Sequence, residues 1–225
     1  LGNDLYQAFL DERMQYSSAV FTTSTETLAE AQTTKLTRIC EKLQLSEKDH
    51  LLEVGSGWGG LAVFAAQHYG CRVTTTTISD KQFNYAAKTI ADLGLEGRIK
   101  LLNKDYRLLD GHYDKIVSVE MIEAVGREFL NTYLKKLNSL LKPNGLFMLQ
   151  AITIADERLD VYNKNEDFIQ KHIFPGGYLP SLALIRKILS KKTELVIRDV
   201  LDIGLDYAQT LAHWSQTFQS NANYI

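Results

Sequence analysis

The most constraining feature of this sequence is the stretch at residues 51–60, which reads L-L-E-V-G-S-G-W-G-G. An apolar run closes with Glu53 and Val54, four glycines then fall within six positions, and a helical pattern follows. Gly55 and Gly57 can adopt backbone angles that are closed to other residues, and they leave no side chain to obstruct a ligand. The N-terminus of the following helix would offer free N–H groups and a partial positive charge. The stretch therefore predicts a strand, a tight turn and a helix. The turn is either a cradle for a nucleotide-like ligand or a purely structural connection.

Residues 2–4, Gly-Asn-Asp, predict a turn. Apolar runs and helical patterns alternate along the rest of the chain. The predicted strands are residues 50–54, 71–78, 98–103, 113–119, 146–154 and 195–201. The predicted helices are residues 28–43, 58–69, 80–93, 127–141, 161–172, 181–190 and 205–219. This alternation is typical of an α/β protein with a doubly wound, mostly parallel, Rossmann-like sheet that carries helices on both faces.

Charge and cysteine content narrow the class of protein. The net charge of −2 gives no electrostatic reason to expect nucleic acid or an anionic membrane as a partner. Cys40 and Cys71 are the only cysteines, and they predict small buried apolar side chains rather than a disulfide framework or a zinc site. A cytoplasmic location fits this content, and no signal peptide, membrane-spanning run or metal site is expected.

Four basic side chains lie close together near the end of the chain: Arg186, Lys187, Lys191 and Lys192. A solvated helix face is favoured over a binding patch for these four. The 225 residues fit a single domain, because no internal repeat or low-complexity linker divides them. The chain opens without Met, and we expect it to be a fragment of a longer polypeptide.

The residues around the glycine turn favour one class of ligand. A dinucleotide site wants G-x-G-x-x-G and an acidic residue that ends the second strand. The glycines match loosely, but the second strand has no carboxylate before Asp80. A Walker-type phosphate loop is excluded because Gly-Lys-Ser/Thr does not occur. Glu53 would repel a pyrophosphate and suits a cationic or amino-bearing ligand. The sulfonium and ammonium of S-adenosylmethionine fit this charge better than a dinucleotide does.

Seven stretches carry a more specific resemblance. In chain order they are L-G-N-D-L-Y, Y-S-S-A-V-F, L-L-E-V-G-S-G-W-G-G, T-I-S-D-K-Q, D-Y-R, E-M-I-E-A-V-G and I-F-P-G-G-Y-L-P-S. Through them nearly the whole chain resembles the S-adenosylmethionine-dependent cyclopropane fatty acid synthase family. The last two stretches are far more discriminating than the glycine turn. The resemblance implies a class I methyltransferase fold over residues 1–225, with an N-terminal helical cap (1–45), a cofactor-binding core (46–154) and a substrate-side segment (155–225).

The resemblance also implies which residues hold the cofactor. They are Tyr16 and Ser17 over the methionine end, Glu53 at its polar end, Gly55, Ser56 and Gly57 beneath it, Thr77, Ile78 and Gln82 at the ribose, and Asp105 and Tyr106 at the adenine. Gln82 replaces the acidic residue that is usual in the family. Strand packing explains Thr77 and Ile78 about equally well, and Asp105 could instead cap a helix or turn.

The chemistry implied by the resemblance needs one placed base. Methyl transfer to a cis double bond leaves a carbocation, which must lose a proton before the ring closes, so the site should be dry and apolar. In the family, the glutamate equivalent to Glu123 holds a bicarbonate ion that removes this proton. The alternative for Glu123 is a cap for the helix predicted at residues 127–141.

Three positions depart from the family pattern. Ala124 and Gln150 stand where many members have histidine, and Ser17-Ser18 replaces a serine-cysteine pair. Ser18 and Gln150 can still donate hydrogen bonds to bicarbonate, so both are assigned to the catalytic site with Glu123.

The resemblance thus implies an enzyme that forms cyclopropane rings on unsaturated phospholipid acyl chains at a membrane surface. The cofactors are S-adenosylmethionine and bicarbonate. We expect a cytoplasmic protein with peripheral contact at the inner membrane face. The oligomeric state is left open, and a homodimer is one alternative. One alternative is a methyltransferase of the same fold that acts on an amine or on another lipid without ring closure. A second is a non-catalytic cofactor- or lipid-binding protein.

Overall fold

The structure is a computed structural model that describes residues 2–221. Its strands are β1 (His50–Val54), β2 (Arg72–Thr77), β3 (Ile99–Asn103), β4 (Tyr113–Val119) and β5 (Leu141–Gln150). Its α-helices are α1 (Asn3–Gln7), α2 (Leu28–Lys42), α3 (Gly60–Tyr69), α4 (Asp80–Asp92), α5 (Leu130–Leu140), α6 (Leu159–Tyr162), α7 (Leu182–Lys192) and α8 (Gly204–Ser220).

The strands form one parallel sheet in the order β3-β2-β1-β4-β5, which confirms the predicted doubly wound α/β class. The order of the strands reverses at β1, the strand that leads into the glycine turn. Buried strands of parallel sheets read as continuous apolar runs because helices cover both faces. Leu51 and Leu52 accordingly have no exposed surface.

One compact unit comprises the described part of residues 1–105 and 201–225. Helix α2 begins at a capping box in which Thr27 and Glu30 satisfy each other's backbone N–H groups. Cys40 and Cys71 are free and buried, and burial raises the pKa of their thiols to about 12 and about 11. Both therefore behave as the small apolar residues that the sequence predicts.

The second compact unit comprises residues 106–200. Helix α5 buries an apolar face that includes Leu134 and Leu137. Tyr133 in the same face donates a hydrogen bond of 2.6 Å to the buried Ser118 of β4. The basic side chains of α7, from Arg186 to Lys192, are exposed, as expected of a solvated helix face.

Some predicted elements are wrong. Residues 2–4 were expected to turn, but Asn3 begins α1. The helix expected at residues 161–172 is replaced by the short α6 and a π-helix at Ile169–Ile173. Residues 195–201 form no strand, and Val196 is 77% exposed. A strand needs a hydrogen-bonding neighbour, and no strand within residues 2–221 pairs with this segment.

Strand β5 differs from its predicted bounds at both ends. It begins directly after α5, and its pairing with β4 jumps from Leu141 opposite Tyr113 to Leu146 opposite Lys115, so residues 142–145 bulge out. The strand ends at Gln150 rather than at residue 154, because the Ile152 N–H donates to the side chain of Glu123 instead of to a strand. None of the helices within residues 2–221 combines the length and apolar character needed to cross a bilayer.

Candidate functional site

The glycine turn has the geometry that its sequence predicts. Gly55 and Gly57 have φ angles of 98° and 49°. The N–H groups of Gly55 and Ser56 both donate to the carbonyl of Thr76 at the end of β2, at 3.2 and 2.8 Å. A Cβ atom added at Gly57 would meet no atom within 4 Å. The turn is thus tied to the strand ends while Gly57 faces open space, as a ligand cradle requires.

An N-terminal loop, residues 11–20, packs against the start of α3. A Cβ atom added at Gly60 would collide with the side chain of Gln15 and would lie 2.6 Å from the Arg13 carbonyl. Asp11 organises this loop, since its carboxylate accepts from the N–H of Gln15 at 2.7 Å and of Arg13 at 3.3 Å. Only glycine at position 60 allows the loop to approach so closely.

The N-terminal loop carries three of the predicted site residues. Tyr16 is 39% exposed, and its ring lies 5.4 Å from that of Trp214 in α8. Ser17 is buried, and its hydroxyl accepts a hydrogen bond of 2.7 Å from Lys35. Ser18 is also buried, and its hydroxyl donates to the Ala19 carbonyl at 3.0 Å.

Glu53 lies at the end of β1 and is 3% exposed. The Thr75 hydroxyl donates to its carboxyl group at 2.6 Å. Burial raises the pKa of Glu53 to about 8, and this hydrogen bond and the charge of Lys35 oppose the rise. Glu53 is therefore largely protonated at neutral pH, and a cationic group placed beside it would favour the ionised form.

The residues predicted at the ribose meet at the end of β2. The Thr77 hydroxyl donates to the Gln82 side-chain oxygen at 3.0 Å, so these two side chains are brought together. Ile78 is 75% exposed, which rules out strand packing as its role. Thr77 is buried in the strand, and packing still explains it as well as cofactor contact does.

Asp105 belongs to the first compact unit and Tyr106, the next residue in the sequence, to the second. Tyr106 is buried within the second unit, with its ring in edge contact 5.0 Å from that of Tyr133. Asp105 is partly buried and directly precedes the 3-10 turn Tyr106–Leu108. This position is also that of a cap, so both interpretations of Asp105 still stand.

Glu123 is held in a 3-10 turn, Ile122–Ala124, that follows β4. Its Oε1 accepts a hydrogen bond of 2.5 Å from the N–H of Ile152, whereas its Oε2 is buried without a partner in the described chain. Burial raises the pKa of Glu123 to about 7, and the nearby Glu120 adds to the rise. Glu123 does not cap the next helix, because α5 begins at Leu130 and has no side-chain cap.

Glu120 is a residue that sequence reasoning left without a role. It directly follows β4 and has a φ angle of 45°, which is uncommon for a residue with a side chain and marks local strain. Its Oε1 accepts from the side-chain amide of Gln150 at 2.9 Å. Gln150, predicted as a hydrogen-bond donor, is therefore brought beside an acidic group. The only sequence signal was a carboxylate at the end of an apolar strand.

The two most discriminating sequence stretches contact each other. The N–H of Tyr178 donates to the carbonyl of Glu123 at 2.8 Å. A Cβ atom added at Gly126 would lie 3.4 Å from the carbonyl of Gly176. The stretch at residues 173–181 therefore packs against the turn that carries Glu123. This close approach of two backbones explains the glycine at position 126.

The sheet order and the glycine turn after β1 together define the fold of the class I S-adenosylmethionine-dependent methyltransferases. Residues 1–225 match the family described as mycolic acid cyclopropane synthetase, and the chain belongs to this family.

Two similar proteins with different named activities illustrate the range of the family. The tuberculostearic acid methyltransferase of Mycobacterium tuberculosis is 40% identical over 225 residues, covering 97% of this chain and 52% of that protein. The cyclopropane-fatty-acyl-phospholipid synthase of Escherichia coli K12 is 39% identical over 218 residues, covering 97% of this chain and 54% of that protein. The chain thus spans about half the length of these relatives.

The crystal structure of the mycolic acid cyclopropane synthase CmaA1 in complex with SAH and CTAB matches with a TM-score of 0.90 and 29% identity. The match covers 98% of this chain and 80% of that one. The predicted family and fold are confirmed. The roles assigned to individual residues stay predictions.

Proposed function

We propose that this chain transfers the methyl group of S-adenosylmethionine to the cis double bond of unsaturated phospholipid acyl chains and forms a cyclopropane ring. The observation that carries the proposal is the buried Oε2 of Glu123, which has no hydrogen-bond partner among residues 2–221 and lies in the stretch E-M-I-E-A-V-G. A buried carboxyl oxygen without a partner costs free energy, so its retention is better explained by a ligand than by stability.

The glycine turn and its neighbours fit S-adenosylmethionine, which supplies an electrophilic methyl group when bound. The open space at Gly57 would admit the ligand beside the backbone. Glu53 would stabilise the positively charged end, and the paired Thr77 and Gln82 would hydrogen-bond the ribose. The complex of CmaA1 with SAH, the demethylated form of this cofactor, supports the assignment. Tyr16, Ser17, Gly55, Ser56, Ile78, Asp105 and Tyr106 complete the proposed set.

Glu123 is proposed to organise the removal of the proton. Its unpartnered Oε2 fits a small hydrogen-bonding anion such as bicarbonate, which would supply the base. Because the pKa of Glu123 lies at about 7, its carboxyl group can carry the proton that an anion needs from a neighbouring carboxylate. Gln150 is proposed to donate a hydrogen bond from its amide, and Ser18 from its hydroxyl.

An apolar surface of the second unit supports a lipid as substrate. Phe168, Ile169 and Phe174 are between 47% and 68% exposed, and they follow one another within the segment after α6. Several exposed large apolar side chains within one short segment are what a lipid-binding surface requires. We propose that this segment contacts the membrane that presents the acyl chain, as a peripheral association.

A second candidate is methylation of an acyl chain without ring closure. The relative at 40% identity is a tuberculostearic acid methyltransferase, and Ala124 lacks the side chain that many cyclopropane synthases have at this position. In both cases the carbocation loses a proton: loss from the added methyl group with closure of the new C–C bond gives the ring, whereas loss that forms a double bond gives a branched product that is still unsaturated.

Incubation with labelled S-adenosylmethionine and vesicles of unsaturated phospholipid tests both candidates. Mass spectrometry of the released fatty acids should show the gain of one methylene and the loss of the double bond. A methyl-branched product would instead support the second candidate. Methylated amines, or no labelled product, would refute a role in acyl-chain modification.

A further inference from the structure

The amine of Lys35 is buried inside the first unit although no predicted role uses it. Lys35 lies on α2 and is 1% exposed. Lysines are rarely buried to this degree unless they are paired, because removal of the ammonium from water is costly. Its Nζ donates a hydrogen bond of 2.7 Å to the hydroxyl of Ser17 in the N-terminal loop. Helix α2 also holds this loop through Gln32, whose amide donates to the Ser17 carbonyl at 3.0 Å.

The charge of Lys35 acts on two buried carboxyl groups. One is Asp11, which organises the N-terminal loop, and the other is Glu53 beside the glycine turn. The positive charge of Lys35 lowers the pKa of both, against the rise caused by burial. Arg13 also acts on Asp11. The Cys40 thiol lies near Glu53 but stays neutral, since its pKa is about 12.

We propose that Lys35 is a positioning residue of the cofactor site: its buried amine holds Ser17 of the N-terminal loop in place and supplies a positive charge to the interior behind the glycine turn. The inference rests on the proposed function, because it requires S-adenosylmethionine to bind at the glycine turn. Lys35 is hydrogen-bonded to the N-terminal loop, and its charge also acts on the carboxyl group at the end of β1.

A pH profile distinguishes this role from a purely structural one. With a pKa of about 8, Glu53 must lose its proton before it can attract a cation, so affinity for the ligand should rise as the pH approaches 8. Removal of the Lys35 charge raises the pKa of Glu53 further and moves this rise to higher pH. Titration of the ligand's own amine is common to all variants and cancels in the comparison.

The experiment measures the affinity for S-adenosylmethionine by calorimetry between about pH 6 and pH 9, a range that brackets the titration of a carboxyl group shifted this far. Lys35→Met should weaken binding at neutral pH about tenfold, the size of one lost hydrogen bond to a charged group, and should displace the profile upward. Ser17→Ala should weaken binding without displacing the profile. Lys42→Met removes the same charge from an exposed position of α2 and should leave both unchanged.

A Lys35→Met variant with the affinity and profile of the wild type would overturn the proposal. An equal loss at every pH would overturn it as well, because a structural lysine predicts that result. If Lys35→Met does not fold, Lys35→Gln, which keeps an N–H donor but lacks the charge, must still displace the profile. Failure of the wild-type protein to bind S-adenosylmethionine would refute the proposed function instead.

Discussion

Glutamate side chains in this protein show how far the surroundings decide the chemistry of a residue. Glu30 is exposed, and its hydrogen bonds from Thr27 lower its pKa. Burial raises the pKa of Glu53 to about 8 and that of Glu123 to about 7. Burial thus brings the pKa of Glu53 and of Glu123 close to neutral pH, and the sequence assigns chemistry to both residues. Strongly shifted pKa values of this kind are typical of functional sites.

Replacement of Glu123 by Gln should abolish turnover and leave cofactor affinity nearly unchanged. Glutamine keeps an oxygen that can accept from the Ile152 N–H, but it cannot hold a shared proton. We expect a loss of at least about a hundredfold in the rate, as for removal of a general acid or base. Turnover assays and calorimetry with S-adenosylmethionine measure the two effects separately. Glu128→Gln, at an exposed position nearby, is the control. Equal loss of turnover and of binding would show that Glu123 is structural.

Glu53 should make the folded state less stable as the pH rises. Below its ordinary pKa of 4.5 the carboxyl group is protonated in both states; between 4.5 and about 8 only the folded state retains the proton. The contribution of Glu53 to the free energy of unfolding is therefore complete below pH 4.5 and is lost as the pH rises through about 8. Each tenfold difference in proton affinity is worth about 1.4 kcal/mol.

Glu53→Gln should therefore flatten the decline in the free energy of unfolding between these pH values. Urea titrations at several pH values measure it, and Glu47→Gln, at an exposed position, is the control. An unchanged slope would contradict the assigned pKa shift.

At the scale of elements, the sequence predicts the backbone conformation of the glycine turn, but it does not predict which other segments pack against that turn. Positive φ angles at Gly55 and Gly57 follow from the close spacing of glycines after an apolar strand. The contact of the N-terminal loop with Gly60 joins residues about 45 positions apart, a separation on which local sequence patterns carry no information. The same reason explains the missed α1 and the wrongly predicted strand at 195–201, since both depend on what lies beside them.

Gly57→Val should eliminate cofactor binding. It should also lower the stability of the fold, but by about as much as the control variant Gly94→Val does. Gly57 and Gly94 both have positive φ angles, of 49° and 64°, and a Cβ atom at either would meet no atom within 4 Å. Backbone strain of about 1 kcal/mol is therefore expected for valine at either position. Calorimetry should detect S-adenosylmethionine binding to Gly94→Val and none to Gly57→Val. If Gly57→Val still binds S-adenosylmethionine, the assignment of the cofactor to the glycine turn is wrong.

At the scale of the whole chain, the first unit joins the two ends of the sequence. The N–H of Ala19 donates to Thr210 of α8 at 3.0 Å, and the N–H of Phe21 donates to Asp206 at 2.7 Å. Of the aromatic side chains of α8, Trp214 is buried and Phe218 is 40% exposed. Helix α8 thereby helps to hold the loop that carries Tyr16, Ser17 and Ser18.

Thr210→Val should lower the free energy of unfolding by about 1–3 kcal/mol, because the buried N–H of Ala19 would lose its acceptor. The side chains are nearly equal in shape, so packing is preserved. Urea denaturation measures the loss, and Thr217→Val at an exposed position of the same helix is the control. A Thr210 variant as stable as the control would show that the hydrogen bond contributes nothing.

The sequence by itself determined the α/β class, the strand–turn–helix at the glycines and the family, because these depend on local periodicity and on contiguous stretches of residues. Only the tertiary structure decided which side chains meet. It brought Lys35 to Ser17, Gln150 to Glu120, and residues 173–181 against the turn that carries Glu123. It also decided which carboxyl groups keep their protons, since a pKa depends on burial and on neighbouring charges that are distant in the chain.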